Sequence, residues 1–177
     1  VDCHKFQPES RKFDPPAKWP FGADNFVIGT VGRLASVKNQ RLLVEAFLRS
    51  RDRSPQFAAT ARLALVGTGP DAPILEERIR ESGASDCIWL AGERNDISQL
   101  VRAMNVFCLP SLAEGLSNSL LEAMALGKPT VAIDVGGNGE IVRDGVTGML
   151  LPDHSVESLA AALQMYFSKP QIALQHG

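Results

Sequence analysis

Two glutamates and two cations are the side chains of this sequence whose types and spacing are best suited to chemistry. In SLAEGLSNSLLEAMALGKP, residues 111–129, Glu114 stands just before a predicted helix and Glu122 lies inside it. Arg33 and Lys38 belong to GRLASVKNQ, which follows an apolar run typical of a strand. Carboxylates accept hydrogen bonds from hydroxyl groups, whereas lysine and arginine bind phosphate oxygens. The four residues therefore suit a ligand that carries both groups.

The start of the same predicted helix could also hold an anion. Backbone N–H groups at a helix start, here between Gly115 and Ser119, have no partner within the helix, and the helix dipole adds about half a positive charge. Because carboxylates repel phosphate, the glutamates must face something neutral, and a sugar nucleotide supplies both hydroxyls and a diphosphate. We predict the diphosphate between Arg33 and Lys38, the ribose at Glu122 and the transferred sugar at Glu114.

Simpler interpretations stand beside this hypothesis. Arg33 and Lys38 could be two solvated surface charges. Ser119 and Glu122 match the S-x-x-E capping box, in which the glutamate only stabilises a helix end. Asp96, in the turn GERND that also holds Arg94, is a suitable N-cap for a helix beginning near Ile97.

Two glycine-rich turns leave alternatives open. GTGPDA, residues 67–72, matches the dinucleotide fingerprint GxGxxA, but it follows the second strand rather than the first, and Pro70 removes a backbone donor. A tight turn near a ligand is therefore favoured over a nicotinamide dehydrogenase, which rests on this turn alone and predicts NAD binding. In VGGNGE, residues 135–140, the glycines either admit a ligand or only turn the chain.

The elements that must position these residues alternate along the chain. Segments of helical period separate short apolar runs, which predicts an α/β fold with a mostly parallel sheet whose ligands bind beyond the carboxyl ends of the strands. The predicted strands are FVIGTV (26–31), RLALVG (62–67), CIWLA (87–91), VFCLP (106–110), TVAID (130–134) and MLLP (149–152). Residues 51–61 are predicted to be a surface loop. We expect residues 26–168 to form one domain, preceded by a linker and loop, 1–25, and followed by a tail, 169–177.

The composition of the chain argues against several classes of function. The chain has 177 residues, 45% of them hydrophobic, and a formal charge of −2, which argues against general binding to nucleic acid or anionic lipid. Cys3, Cys87 and Cys108 show neither disulfide nor zinc spacing, so a reducing compartment is expected. The apolar runs are too short to span a bilayer, and the sequence does not open with a signal peptide.

Taken in order, GRLASVK, GTGP, the two glutamates of EGLSNSLLEAMALGKP, VGGNGE and DGVTGMLLP resemble the nucleotide-sugar half of retaining glycosyltransferases of family four. The opening VDCHKFQP resembles the segment that follows the interdomain linker in that family. The resemblance covers residues 1 to about 167. It implies a Rossmann-like, doubly wound domain that is one half of a GT-B fold, without its N-terminal domain and ending before the C-terminal crossover helix.

The resemblance also assigns roles. It implies that Arg33 and Lys38 bind the diphosphate and stabilise its departure in place of a metal, that Glu114 contacts the donor sugar, and that Glu122 contacts the ribose. Arg94 is implied to contact the base. The implied backbone cradle for sugar and phosphate, and two further glycines at the donor site, are Gly115, Leu116, Ser117, Asn118, Ser119, Gly32 and Gly67. Arg33, Lys38 and Glu114 are the expected catalytic residues; no metal and no cofactor are expected.

The implied activity of the intact enzyme is transfer of a hexosyl group, with retention, from a UDP- or GDP-linked sugar to a hydroxyl of a glycan or lipid-linked acceptor. Within the family, LAEGLSNSLLEAMALGKP is most similar to bacterial transferases of exopolysaccharide or other surface glycans, including those associated with exosortase systems. A cytoplasmic location, free or peripheral at the inner face of the membrane, is expected, and the fragment alone is expected to be inactive. The alternatives are a stand-alone nucleotide-binding module without catalysis and a GT-B-like sugar-nucleotide epimerase.

Overall fold

A six-stranded, fully parallel sheet forms the centre of the molecule, in the order β3-β2-β1-β4-β5-β6. The structure is a computed structural model that describes residues 1, 2, 5, 6 and 16–177, so most of the predicted linker lies outside the described residues. The strands are β1 (Phe26–Val31), β2 (Ala61–Val66), β3 (Ile88–Gly92), β4 (Val106–Leu109), β5 (Thr130–Ile133) and β6 (Gly148–Leu151). All six predicted strands are confirmed, as is the Rossmann-like α/β fold.

Helices connect the strands and cover both faces of the sheet. They are α1 (Gln40–Arg53), α2 (Pro55–Thr60), α3 (Ala72–Glu81), α4 (Ile97–Ala103), α5 (Asn118–Ala125), α6 (Asn138–Ile141), α7 (Val156–Ser168) and α8 (Pro170–His176), with a short 3₁₀ turn at Ser36–Lys38. None of the helices within the described residues combines the length and hydrophobicity that a bilayer span requires.

Two apolar cores lie on opposite faces of the sheet. One packs α1, α3 and α7 against the strands and includes Phe47 and Tyr166. The other packs α4 and α5 and includes Leu100 and Leu120. Side chains alternate between these cores along each strand, which explains why the strands are apolar throughout.

Two segments differ from the sequence-based expectation. The predicted loop at 51–61 is wrong, because α1 continues to Arg53 and α2 follows at once. Ser54 caps α2 by accepting a hydrogen bond from the Phe57 N–H at 3.2 Å, and the Phe57 side chain is fully buried. Residues 169–177 are also more than a tail, since α8 occupies most of them and the His176 ring lies 2.8 Å from the Tyr166 hydroxyl.

Candidate functional site

The loops that follow β1 and β4 meet near the middle of the sheet, at the carboxyl ends of its strands. We call this side of the sheet its carboxyl edge, and the side at the amino ends of the strands its amino edge. These strands are neighbours, but the chain continues from β1 to β2 on one side and from β4 to β5 on the other. Such a reversal opens a crevice between the two loops, where parallel α/β sheets bind ligands. A hydrogen bond of 2.8 Å from the Leu112 N–H to the Val37 carbonyl joins the loops. The predicted site residues therefore belong to two connected loops.

Lys38 and Glu114 form an ion pair across this crevice. Lys38 ends the 3₁₀ turn after β1, and its Nζ lies 2.6 Å from Glu114 Oε1. The Glu114 side chain is only 7% exposed and that of Lys38 27% exposed, so water screens the pair weakly. The structure thus brings together one predicted phosphate ligand and the predicted sugar ligand, although they are 76 positions apart in the sequence.

Arg33 lies on the same loop but remains open to solvent. Its backbone carbonyl is held by the Gln40 side-chain amide at 3.0 Å, while its guanidinium makes no ion pair among the described residues. The loop around Arg33 is therefore anchored and its charge is available to an anion.

The start of α5 follows Glu114 directly, and its cap is not the one that the capping-box alternative requires. Ser117 is the N-cap and accepts a hydrogen bond from the Leu120 N–H at 3.4 Å. Ser119 lies inside the helix, so the capping box of Ser119 with Glu122 is wrong. Within the described part of the chain, the N–H groups of Asn118 and Ser119 have no acceptor, which leaves them available to an anion. Leu116 is two-thirds exposed in front of them.

Glu122 therefore has no capping role. It makes no side-chain hydrogen bond among the described residues, and partial burial raises the pKa of its carboxyl group, although the nearby charges of Lys5 and the N-terminus oppose the shift. An unpaired, partly desolvated carboxylate is a suitable acceptor for ligand hydroxyls.

Glycines in neighbouring turns pack against the backbone of this site. A Cβ at Gly136, where φ is +54°, would overlap the Glu114 carbonyl oxygen, and the Gly137 N–H donates to the Gly115 carbonyl at 3.2 Å. A Cβ at Gly67 would likewise overlap the Gly32 carbonyl oxygen. The glycines of VGGNGE and GTGP thus serve loop-to-loop packing, whatever contact they also make with a ligand.

Arg94 is engaged by local partners. Its guanidinium forms a bidentate pair with Asp96, at 2.8 and 2.6 Å, donates to the Ala17 carbonyl at 2.7 Å and lies 5.8 Å from the Trp89 ring centroid. The arginine lowers the pKa of the Asp96 carboxyl group. Asp96 occupies the N-cap position of α4, as predicted, but its side chain binds Arg94 instead of capping the helix. The role of Arg94 at the base stays a prediction.

The sequence does not predict two contacts made by Ser111, one of them to Glu114. The Ser111 hydroxyl donates to Glu114 Oε1 at 2.6 Å, and the His154 Nε2 lies 3.2 Å from the Ser111 carbonyl oxygen. The short spacing of Ser111 and Glu114 after a strand could have indicated the first contact. The second joins residues 43 positions apart and has no local signal. Among the residues that the structure describes, no three metal-ligating side chains come together.

The family follows from comparison with known proteins. The model of the family described as "Glycosyl transferases group 1" matches residues 25–169. The chain is 35% identical over 155 residues to a D-inositol 3-phosphate glycosyltransferase of Kribbella flavida, covering 83% of this chain and 36% of that protein. It is 31% identical to the lipopolysaccharide core biosynthesis mannosyltransferase LpsB of Rhizobium meliloti, covering 98% of this chain and 50% of the relative. The chain belongs to the group 1 glycosyltransferases.

Solved structures agree with this assignment. Anabaena Alr3699/HepE in complex with UDP superposes with a TM-score of 0.79 at 29% identity, over 87% of this chain and 42% of that one. The same protein was also solved with UDP-glucose and superposes with a TM-score of 0.78. The C-terminal domain of the group 1 protein LpcC of Francisella tularensis shares the fold, with a TM-score of 0.79 at 22% identity, over 99% of this chain and 92% of that domain. The chain spans between a third and a half of the curated relatives' length.

Proposed function

We propose that this chain is the donor-binding domain of a retaining glycosyltransferase that takes a hexosyl group from a nucleoside-diphosphate sugar. The observation that carries the proposal is the Lys38–Glu114 pair, which places a cation and a carboxylate beside the open start of α5. A sugar nucleotide presents a diphosphate next to sugar hydroxyls, and this crevice offers matched partners for both.

The diphosphate is proposed to lie between Arg33, Lys38 and the α5 start. Lys38 gives up part of its interaction with Glu114 to a phosphate oxygen, and Arg33 supplies a second charge from the rim. These two cations also stabilise the charge that develops on the departing diphosphate, which is the role a metal plays elsewhere. Gly32, Gly67 and the backbone of Gly115 to Ser119, with Leu116 at the mouth, are proposed to line this part of the site.

We assign the hydroxyl groups of the ligand to the two glutamates and its base to Arg94, in the turn after β3. Oε2 of Glu114 receives no hydrogen bond from the described residues and is proposed to accept from the transferred sugar. Glu122 is proposed to accept from the ribose. Arg94 contacts the base only if it exchanges a local partner, so its substitution should affect UDP, GDP and ADP unequally.

The remaining parts of the proposal concern the longer protein to which such a domain belongs. An N-terminal GT-B domain of the same chain supplies the acceptor site, and the acceptor is a hydroxyl of a glycan or lipid-linked glycan at the inner face of the membrane. The similarity to LpsB and to the putative glycosyltransferases EpsD and EpsF of Bacillus subtilis supports a role in surface glycan or exopolysaccharide synthesis. Catalysis without that domain is not expected.

Calorimetric and thermal-shift titrations with UDP, GDP, ADP and NAD test the donor site directly. A ligand at about 100 times its dissociation constant adds roughly 2.7 kcal/mol to the free energy of unfolding and moves the midpoint by several degrees. We expect one nucleoside diphosphate to bind, and the matching nucleoside, which lacks the phosphates, to bind far more weakly. Binding of NAD alone, or of no nucleotide, would contradict the proposal.

A further inference from the structure

Ser111 is a buried hydroxyl residue between the end of β4 and Glu114. Its side chain is fully buried, and its Oγ donates to Glu114 Oε1 at 2.6 Å. Lys38 Nζ reaches the same oxygen atom at 2.6 Å. One carboxylate oxygen therefore receives two strong donors, while the other receives none from the described residues.

This asymmetry determines which way the carboxylate faces. A carboxylate held by two donors on one oxygen cannot rotate without breaking both hydrogen bonds, and each such bond to a charged group is strong. The Glu114 side chain is 7% exposed, and its Oε2 receives no hydrogen bond from the described residues. The free oxygen is the one that a ligand hydroxyl can reach.

The backbone of Ser111 is itself fixed from two sides. Its carbonyl oxygen lies 3.2 Å from His154 Nε2, on the loop after β6. The next residue, Leu112, donates its N–H to the Val37 carbonyl at 2.8 Å, on the loop after β1. The donor of the Glu114 hydrogen bond is thus anchored to both neighbouring loops and does not depend on the flexible Lys38 side chain.

We propose that Ser111 is a positioning residue that fixes the Glu114 carboxylate through Oε1 and so presents Oε2 to the transferred sugar. The inference rests on the proposed function of Glu114 at the donor sugar. Lys38 can move toward the diphosphate when a donor binds, and Ser111 then remains as the partner that keeps Glu114 in place. A positioning role of this kind affects recognition of the sugar but not recognition of the nucleotide.

The test is the ratio of the affinities for UDP-glucose and UDP, measured by calorimetry on the whole chain. Ser111→Ala should lower the affinity for UDP-glucose by about tenfold, the equivalent of one hydrogen bond to a charged group, and leave the affinity for UDP unchanged. Ser111→Cys fills the same space with a weak donor and should behave like the alanine variant while preserving the packing.

Two further variants calibrate the result. Ser50→Ala removes another fully buried hydroxyl, in α1 and away from the crevice, and should lower stability without changing the affinity ratio. Glu114→Gln should change the ratio in the same direction as Ser111→Ala.

The outcomes separate the two proposals. If the Ser111 variants lost affinity for UDP-glucose and UDP equally, or lost none, the positioning role would be overturned. The donor-site proposal would not be affected. An unchanged ratio in Glu114→Gln would overturn the sugar contact of Glu114 and the role of Ser111 with it. If the unsubstituted chain bound neither UDP nor UDP-glucose, the proposed role of Ser111 in recognising a UDP-sugar would be overturned, and the titrations with GDP and ADP would decide the donor-site proposal.

Discussion

The carboxyl and amino edges of the sheet each hold a half-buried lysine, and the two lysines have different partners. At the carboxyl edge, Lys38 lies 2.6 Å from the carboxylate of Glu114. At the amino edge, just before β5, Lys128 donates to the Arg102 carbonyl at 2.7 Å, near the end of α4, and has no carboxylate partner among the described residues. Burial, assisted by the Arg102 charge, lowers the pKa of Lys128 to about 8.

The difference shows that the partner of a half-buried lysine determines whether the lysine serves structure or can serve binding. A neutral carbonyl accepts one hydrogen bond but does not offset the cost of burying a charge, so Lys128 serves to satisfy an orphan carbonyl at a helix end. A carboxylate offsets that cost, and the partner of Lys38 is such a carboxylate, beside a helix start. This difference supports the proposal that an anionic ligand binds at the carboxyl edge.

The largest effect on stability is expected from substitution of a glycine at the carboxyl edge. Its turn is tightly packed, whereas a comparable glycine turn at the amino edge is not. Gly136→Ala places a Cβ on the Glu114 carbonyl and should lower the free energy of unfolding by about 3 kcal/mol. Gly145, at the amino edge, has a similar φ of +69° but nothing within 4 Å of a Cβ, so Gly145→Ala should cost only about 1 kcal/mol. Urea unfolding of both variants measures the difference, and equal losses would show that loop packing at Gly136 is not tight.

Next in size is the effect of the two lysines on nucleotide binding. Lys38→Ala should weaken binding of the preferred nucleoside diphosphate by roughly 30-fold, because a charged hydrogen bond contributes about 2 kcal/mol. Lys128→Met removes an amine of similar burial from the opposite edge and should leave this affinity unchanged. Calorimetric titration of both variants is the measurement, and a comparable loss in Lys128→Met would remove the distinction between the edges.

A third prediction concerns the pH dependence of stability that arises from Lys128. Its pKa in the folded chain, about 8, lies below the value of 10.5 expected when unfolded, so the unfolded chain binds more protons between these two values and stability rises with pH across this window. Below about pH 8 the folded chain bears the whole cost of charging the amine, about 3 kcal/mol. Urea unfolding at about pH 7 and about pH 10 should therefore show Lys128→Met more stable than the unsubstituted chain at the lower pH, with the gap narrowing at the higher pH. Parallel pH dependence of the two chains would contradict the assignment.

The smallest effect is expected at Glu122. Since Ser117 caps α5, Glu122→Gln should not lower stability at neutral pH, and since burial raises the pKa of Glu122, loss of its charge should favour the folded state slightly. The same variant should bind a ribonucleoside diphosphate a few-fold more weakly, because one charged acceptor is lost, and the 2′,3′-dideoxy analogue equally well. A loss of stability without a change in affinity would restore the capping interpretation.

Features that depend on contacts between residues close in the sequence could be predicted, whereas features that depend on distant residues could not. Short, continuous apolar runs predict all six strands, because such runs reflect burial of consecutive residues within one element. The predicted loop at 51–61 is wrong because serine and proline are common in loops but also cap and begin helices, as Ser54 and Pro55 do for α2. The sequence leaves the cap of α5 open, because Ser117 and Ser119 are both suitable cap residues, and the structure shows that Ser117 is the cap.

The sequence by itself determined the α/β class, the elements and the residue types at their ends, because these depend on local hydrogen bonding and side-chain period. Only the tertiary structure decided that Lys38 and Glu114 share an ion pair, that Ser111 holds the same carboxylate oxygen and that Arg94 is engaged by Asp96. The first of these contacts spans 76 positions and exists because β1 and β4 are neighbours in the sheet. Strand order, and with it the composition of the site, arises from packing across the whole chain, which no local pattern encodes.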